Sequence, residues 1–240
     1  MLVAGEDAAH DGARVPLPGN LRTVRVLSVN VGLPRELTHD GVTVRTAIVK
    51  EPVAGRVAVR RLNLNGDGQA DLRVHGGPDK AVYAYPAAHY PRWRADLGRD
   101  DLAFGHFGEN LTVEGADEAE VLMGDVYRAG SALLEVSQPR VPCAKLGIRM
   151  GDPGFLAPFL RSGRTGFYLR VIEEGDVAAG DPMTLEARGE GGLSVREAAA
   201  LLDSSAAPED LERAAAVPAL AVGWREGFAR RAAGRRRRAG

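Results

Sequence analysis

The chain has one cysteine, Cys143, in 240 residues. A lone thiol closes no internal disulfide and builds no multi-cysteine zinc site or iron–sulfur cluster. That excludes a disulfide-stapled scaffold and suits a reducing, cytoplasmic setting. Lysine is almost as scarce, with three residues against 28 arginines. No uninterrupted apolar run reaches about eighteen residues, so no helical membrane span is expected. Met1 to Asn20 carries Glu6, Asp7 and Asp11, with neither an early positive charge nor a signal-peptide apolar stretch. Net charge is also missing: the formal value of −1 argues against a generally basic nucleic-acid binder. That balance conceals an asymmetry. Arg230, Arg231 and Arg235 to Arg238 put six positives near the C-terminus, so the residues before them sum to −7.

Glycine and proline are plentiful, 30 and 14 residues, which implies many turns and short strands. Thr23–Val31, Val42–Val49 and Gly55–Leu64 alternate apolar and polar residues, as strands with one buried face do. Asn65-Gly66-Asp67-Gly68 reads as a turn. Tyr85–Leu97 is the best helix of the first half, with Gly98 placed to stop it. Val121–Ser137 has strand-turn-strand texture, Gly154–Arg161 fits a short helix, and Thr165–Ile172 and Pro182–Ala187 are strand-like. Closely spaced strands with few helices favour a mainly β fold, a barrel or sandwich. After a linker at Gly189–Gly192, Ser194-Val195-Arg196-Glu197 is a capping box. Three helices are expected, Val195–Asp203, Pro208–Ala215 and Pro218–Ala232. About forty residues are marginal alone, so these helices should lean on the barrel. The divisions are a flexible leader over 1–21, the β domain over 22–189, the helices over 193–233 and an arginine-rich tail over 234–240.

Three segments carry candidate chemistry. Cys143 follows a strand in QPRVPCAKL, where Pro139 and Pro142 stiffen the approach, and Arg140 and Lys145 place positive charge near the thiol. The competing reading is a small buried apolar residue. His75-Gly76-Gly77-Pro78-Asp79-Lys80 lets backbone N–H groups approach an anion beside a point charge, or is simply a turn. Phe107-Gly108-Glu109-Asn110 offers donor and acceptor groups to one heterocycle, or a β-turn closed by Asn110. His89 and His106 read as packing residues, His10 and His39 as loop residues. No set of side chains forms a self-sufficient metal site.

In this order and spacing, GDGQADLRVHGGPDKAVYAYPAAHYPRW, FGENLTVEG and VLMGDVYRAGSALLEVSQPRVPCAKL resemble the YiiM branch of the MOSC-domain proteins, relatives of the molybdenum-cofactor sulfurase C-terminal domain. The resemblance runs from about Val24 to Glu186, and the segment from Leu193 resembles the three-helix domain that follows MOSC in that branch. It implies a MOSC-type β-barrel with a few short helices and a small C-terminal three-helix domain. It implies a molybdopterin-type molybdenum cofactor and reduction of N-hydroxylated compounds, such as hydroxylaminopurine bases or amidoximes. Cys143 would be the thiolate ligand to molybdenum. His75, Gly76, Gly77, Lys80, Phe107, Gly108, Glu109, Asn110, Arg140 and Lys145 would line the cofactor pocket, with His75 and Glu109 as candidate proton donors. No flavin fingerprint and no iron–sulfur cysteine set is present, so electrons would come from an external flavin or iron–sulfur reductase, docked by the helices or the basic tail. The alternative is a cofactor or sulfur carrier that uses Cys143 without turnover. A nucleic-acid module built on the arginine run is a third class, disfavoured by the overall charge. The helices offer a homodimer surface; no membrane or specific nucleic-acid partner is expected.

Overall fold

In the computed structural model of the chain, residues 24–70 and 76–239 are described. The strands are β1 (Val24–Val31), β2 (Arg35–His39), β3 (Val42–Thr46), β4 (Glu51–Pro52), β5 (Val57–Val59), β6 (Val82–Pro86), β7 (Leu111–Glu114), β8 (Val126–Ala129), β9 (Ala132–Pro139), β10 (Phe167–Glu173), β11 (Gly175–Val177) and β12 (Pro182–Ala187). The helices are α1 (His89–Leu97), α2 (Ala144–Met150), α3 (Leu156–Arg161), α4 (Val195–Ala200), α5 (Pro208–Ala215) and α6 (Val222–Ala239). Seven strands hydrogen-bond in the order β12-β8-β9-β10-β6-β7-β1, and β1 pairs again with β12. The sheet closes into a barrel, which leaves these strands no free edge along the closure. Each neighbouring pair in the barrel is antiparallel except β6 and β7, which run parallel with Ala84 opposite Leu111. A parallel pair needs a crossover, and α1 lies on it.

The core follows from the strand patterns. Alternate residues Val24 and Val26 of β1 point inward and join Val82, Ala84, Leu134, Val136 and Leu169. Leu193, Val195, Leu211, Leu220 and Phe228 belong to the same cluster. The C-terminal helices therefore share the barrel's core, and burying a side chain such as Phe228 contributes about 1.5–3 kcal/mol. Backbone bonds tie the two parts as well: Met123 N–H donates to Leu193 O at 2.8 Å, and Ala221 N–H to Ser137 O at 3.0 Å. A second, aromatic cluster holds Tyr83, Tyr85, Tyr90, Trp93, Phe107 and Phe159.

Several boundaries differ from the sequence expectations. Tyr85 and Pro86 end β6, and α1 starts only at His89, with Pro91 in its first turn where a missing N–H costs nothing. Of Gly55–Leu64 only β5 is strand, because Arg60 N–H turns back to Asn63 O. Val42–Val49 is strand only to Thr46. The first terminal helix ends at Ala200 rather than Asp203. The last begins at Val222, with Pro218 in the preceding turn, and continues through the arginine run to Ala239. Arginine is a good helix former, and Arg236 is anchored on α5 by bonds of 2.7 and 2.8 Å to Glu212. The capping box forms as expected: Glu197 N–H donates to Ser194 Oγ and Ser194 N–H to Glu197 Oε2. The 1–21 leader, with His10, lies outside the described residues. Among the described residues no helix is long and apolar enough to cross a membrane.

Candidate active site

At the end of β9 the chain must leave the barrel. Pro142 disfavours helix at Val141, and Cys143 takes the extended conformation of an N-cap, at φ −126° and ψ 168°, as the residue before α2. Its half-buried thiol borders a cavity of about 100 Å³ that opens to solvent. Four elements reach the same hollow. The irregular stretch after β3 brings Lys50; the turn at 65–68 brings Asp67; the short turn before β6 brings Lys80; and the segment around Cys143 brings Arg140 and Lys145. Among the described residues that line this hollow, four cations thus face one carboxylate, a balance that favours an anionic ligand.

The cations are held differently. Arg140 is 5% exposed, donates to Phe107 O, and lies 4.9 Å above the Tyr83 ring and 5.7 Å from that of Phe159. Such a guanidinium is cemented into the wall by π faces and a carbonyl. Lys50 donates to Asp67, and both side chains are buried. Desolvation pushes the Lys50 ammonium below the usual lysine range, against the opposing pull of Asp67. Burial lowers Lys80 too, while Asp79 and Cys143 pull it up. The Tyr83 and Tyr168 hydroxyls are pushed upward by burial and remain neutral.

The FGEN segment builds wall. Gly108 lines the cavity at φ +84°, where a Cβ would come within 2.8 Å of Ile48 Cγ1. Asn110 also lines it, but its amide is engaged within the protein. Nδ2 donates to Asp67 Oδ2 at 2.9 Å and to Asn30 O at 3.3 Å, and Oδ1 accepts from Tyr83 N–H at 3.0 Å. Phe107 and Glu109 lie behind the surface. Phe107 stacks on Tyr85 with centroids 4.6 Å apart. Glu109 Oε1 accepts from Tyr90 Oη, Gly105 N–H and Thr112 Oγ1, while buried Oε2 has no partner among the described residues. Burial raises its carboxyl above the ordinary range.

Of the HGGPDK residues, Lys80 lines the cavity and Gly76 and Gly77 do not; His75 lies outside the described residues. Gly77 takes φ +95°, and its carbonyl accepts from Lys80 N–H in the turn that presents the lysine. Sequence reasoning missed Lys50, Asp67, Tyr83 and Tyr168. One signal for Lys50 was present: all three lysines of the chain border this one cavity. His89 and His106 pack as expected. His89 Nε2 meets both Glu118 oxygens at 2.8–2.9 Å, and Glu118 also accepts from Gly166 N–H. That pair steadies the segment whose Thr165 carbonyl accepts from Tyr83 Oη.

No group of three or more His, Cys, Asp or Glu side chains among the described residues is arranged to hold a bare metal ion. A metal complex that brings its own ligands and an anionic arm is different. It requires one soft donor and several cations, and the cavity offers both. The residues present fit such a group.

A barrel with a single thiol on a proline-stiffened exit, opening into a cation-lined hollow, defines the class. The MOSC domain model matches residues 71–184. YflK of Bacillus subtilis is 46% identical over 204 residues, 85% of this chain and 92% of that protein. YiiM of Escherichia coli is 40% identical over 158 residues, 65% of this chain and 70% of its own length. A protein named "Reductase" from Gibberella moniliformis is 37% identical over 185 residues; these are 75% of this chain but only 32% of that protein. The crystal structure of YiiM from Geobacillus stearothermophilus superposes with a TM-score of 0.74 at 37% identity, covering 87% of this chain and 99% of the other. The chain belongs to the MOSC-domain family and is YiiM-like.

Proposed function

We propose that the protein is a molybdenum-cofactor-dependent reductase of N-hydroxylated compounds, with the Cys143 thiolate as the protein ligand to the metal. The observation that carries this reading is the half-buried thiol at the rim of a cavity lined, among the described residues, by four cations and one carboxylate. Membership of the MOSC family and the likeness to a relative named a reductase support it. When bound, the cofactor supplies the two electrons that break an N–O bond. The chain's own residues do the rest. Pro139 and Pro142 fix the thiol, Lys80 and Lys145 receive an anionic arm, and Arg140 with the rings beneath it keeps one wall dry.

The donor of electrons is taken to be a separate protein with an acidic face. A basic surface suited to it lies on α6, where Arg230, Arg231, Arg235 and Arg238 border a groove with Gly227 and Gly234. The test of the main reading is turnover of an amidoxime or a hydroxylaminopurine with a chemical reductant. The wild type is expected to yield the amidine or amine, and Cys143→Ala to lose nearly all activity while keeping its fold. Bound cofactor that leaves readily, without any turnover, would identify a carrier instead.

A further inference from the structure

Among 28 arginines and three lysines, the cavity takes every lysine and Arg140. The two kinds of cation differ in a way that matters to a reaction. A guanidinium keeps its proton, whereas an ammonium in a desolvated site can give one up. Lys50 is the most deeply held of the three lysines: its side chain is 8% exposed and its partner Asp67 is 4% exposed. Asp67 is itself fixed, accepting from Gly32 N–H and from Asn110 Nδ2, each at 2.9 Å. The charged groups facing Lys50 are Asp67, Glu109 and Arg140. Burial outweighs the pull of the two carboxylates and favours release of the proton.

We propose that Lys50 is the proton donor of this site, giving its Nζ proton to the hydroxyl oxygen that departs as the N–O bond breaks, with Asp67 as the residue that positions it. The proposal rests on the reductase reading and adds the source of a proton. Two electrons from the reductant and two protons convert an N-hydroxylamine into an amine and water. Lys50 supplies the proton on the leaving oxygen, the second proton reaches nitrogen from water, and the neutral Lys50 is reprotonated from solvent at the cavity mouth.

The scarcity of lysine makes a direct test practical. Carbon-13 labelling at lysine Cε gives three signals, assigned with Lys80→Arg and Lys145→Arg. In the unloaded protein the Lys50 signal is expected to titrate at lower pH than a free lysine side chain, and lower still in Asp67→Asn. Titration like free lysine overturns the proposal. In metal-loaded protein with dithionite and an amidoxime, Lys50→Arg and Lys50→Met should keep their molybdenum and KM but lose about 100-fold or more in kcat. Rescue by arginine would mean that only the charge matters, and loss of molybdenum that Lys50 is a cofactor ligand; either result refutes proton donation. Wild-type kcat in both variants refutes it while leaving the reductase reading intact. A metal-loaded wild type without turnover ends both.

Discussion

Residues with two demands upon them define this molecule, and His106 is the clearest outside the site. It is 5% exposed, its Nε2 has no partner among the described residues, and Arg149 and Arg99 lie nearby. Burial first, and these cations second, push its pKa from 6.5 down to about 4. The folded protein therefore keeps the ring neutral where the unfolded chain would take up a proton. Its contribution is fully present above pH 6.5 and is lost as pH falls toward 4, an effect of at most about 3 kcal/mol. Denaturant titrations from pH 7 to 5 are expected to show His106→Gln losing less stability than the wild type; parallel losses would contradict this. At the same scale, the site was legible where chemistry and local geometry coincide in one segment. Cys143, Arg140, Lys145, Lys80 and Asn110, each singled out from its motif, all border one cavity. Lys50 and Asp67 were not legible together, because only the folded barrel brings an unremarkable irregular stretch against a turn.

Elements were readable where one face is wet. Pro182–Ala187 and Pro208–Ala215 appear with the expected bounds, since each alternates buried and exposed positions at its own period. β6 gave no such signal: all five of its residues are buried, as befits a strand in a parallel pair covered on both faces. β7 was hidden for the same reason, three of its four residues being buried. The capping box belongs here as well, because it opens α4 just after the chain leaves the barrel. Ser194→Ala leaves the Glu197 N–H without its side-chain acceptor, and a loss of about 1 kcal/mol is expected in urea unfolding. An unchanged midpoint would show that water replaces the cap at no cost.

For the whole molecule, closure of the barrel by β1 on β12 was not readable, since no local pattern records a pairing between the two ends of the β segment. The helices sharing its core were foreseeable from their small size, whereas the continuation of α6 through the arginines depended on partners in α5. That continuation turns a charge run into a rigid basic face. Removing residues from Arg235 onward takes away no member of the core, which ends at Ala232. Turnover with dithionite should then be unchanged, while turnover supported by a flavin reductase should fall several-fold, more so at low salt. Equal activity with both donors would place the docking surface elsewhere. If one sulfur anchors a metal complex in this cavity, molybdenum stoichiometry in protein from a host able to make the cofactor should follow that sulfur. Close to one metal per wild-type chain is expected, and almost none in a folded Cys143→Ala variant; equal metal in both, or none in the wild type, would overturn the anchoring role of Cys143.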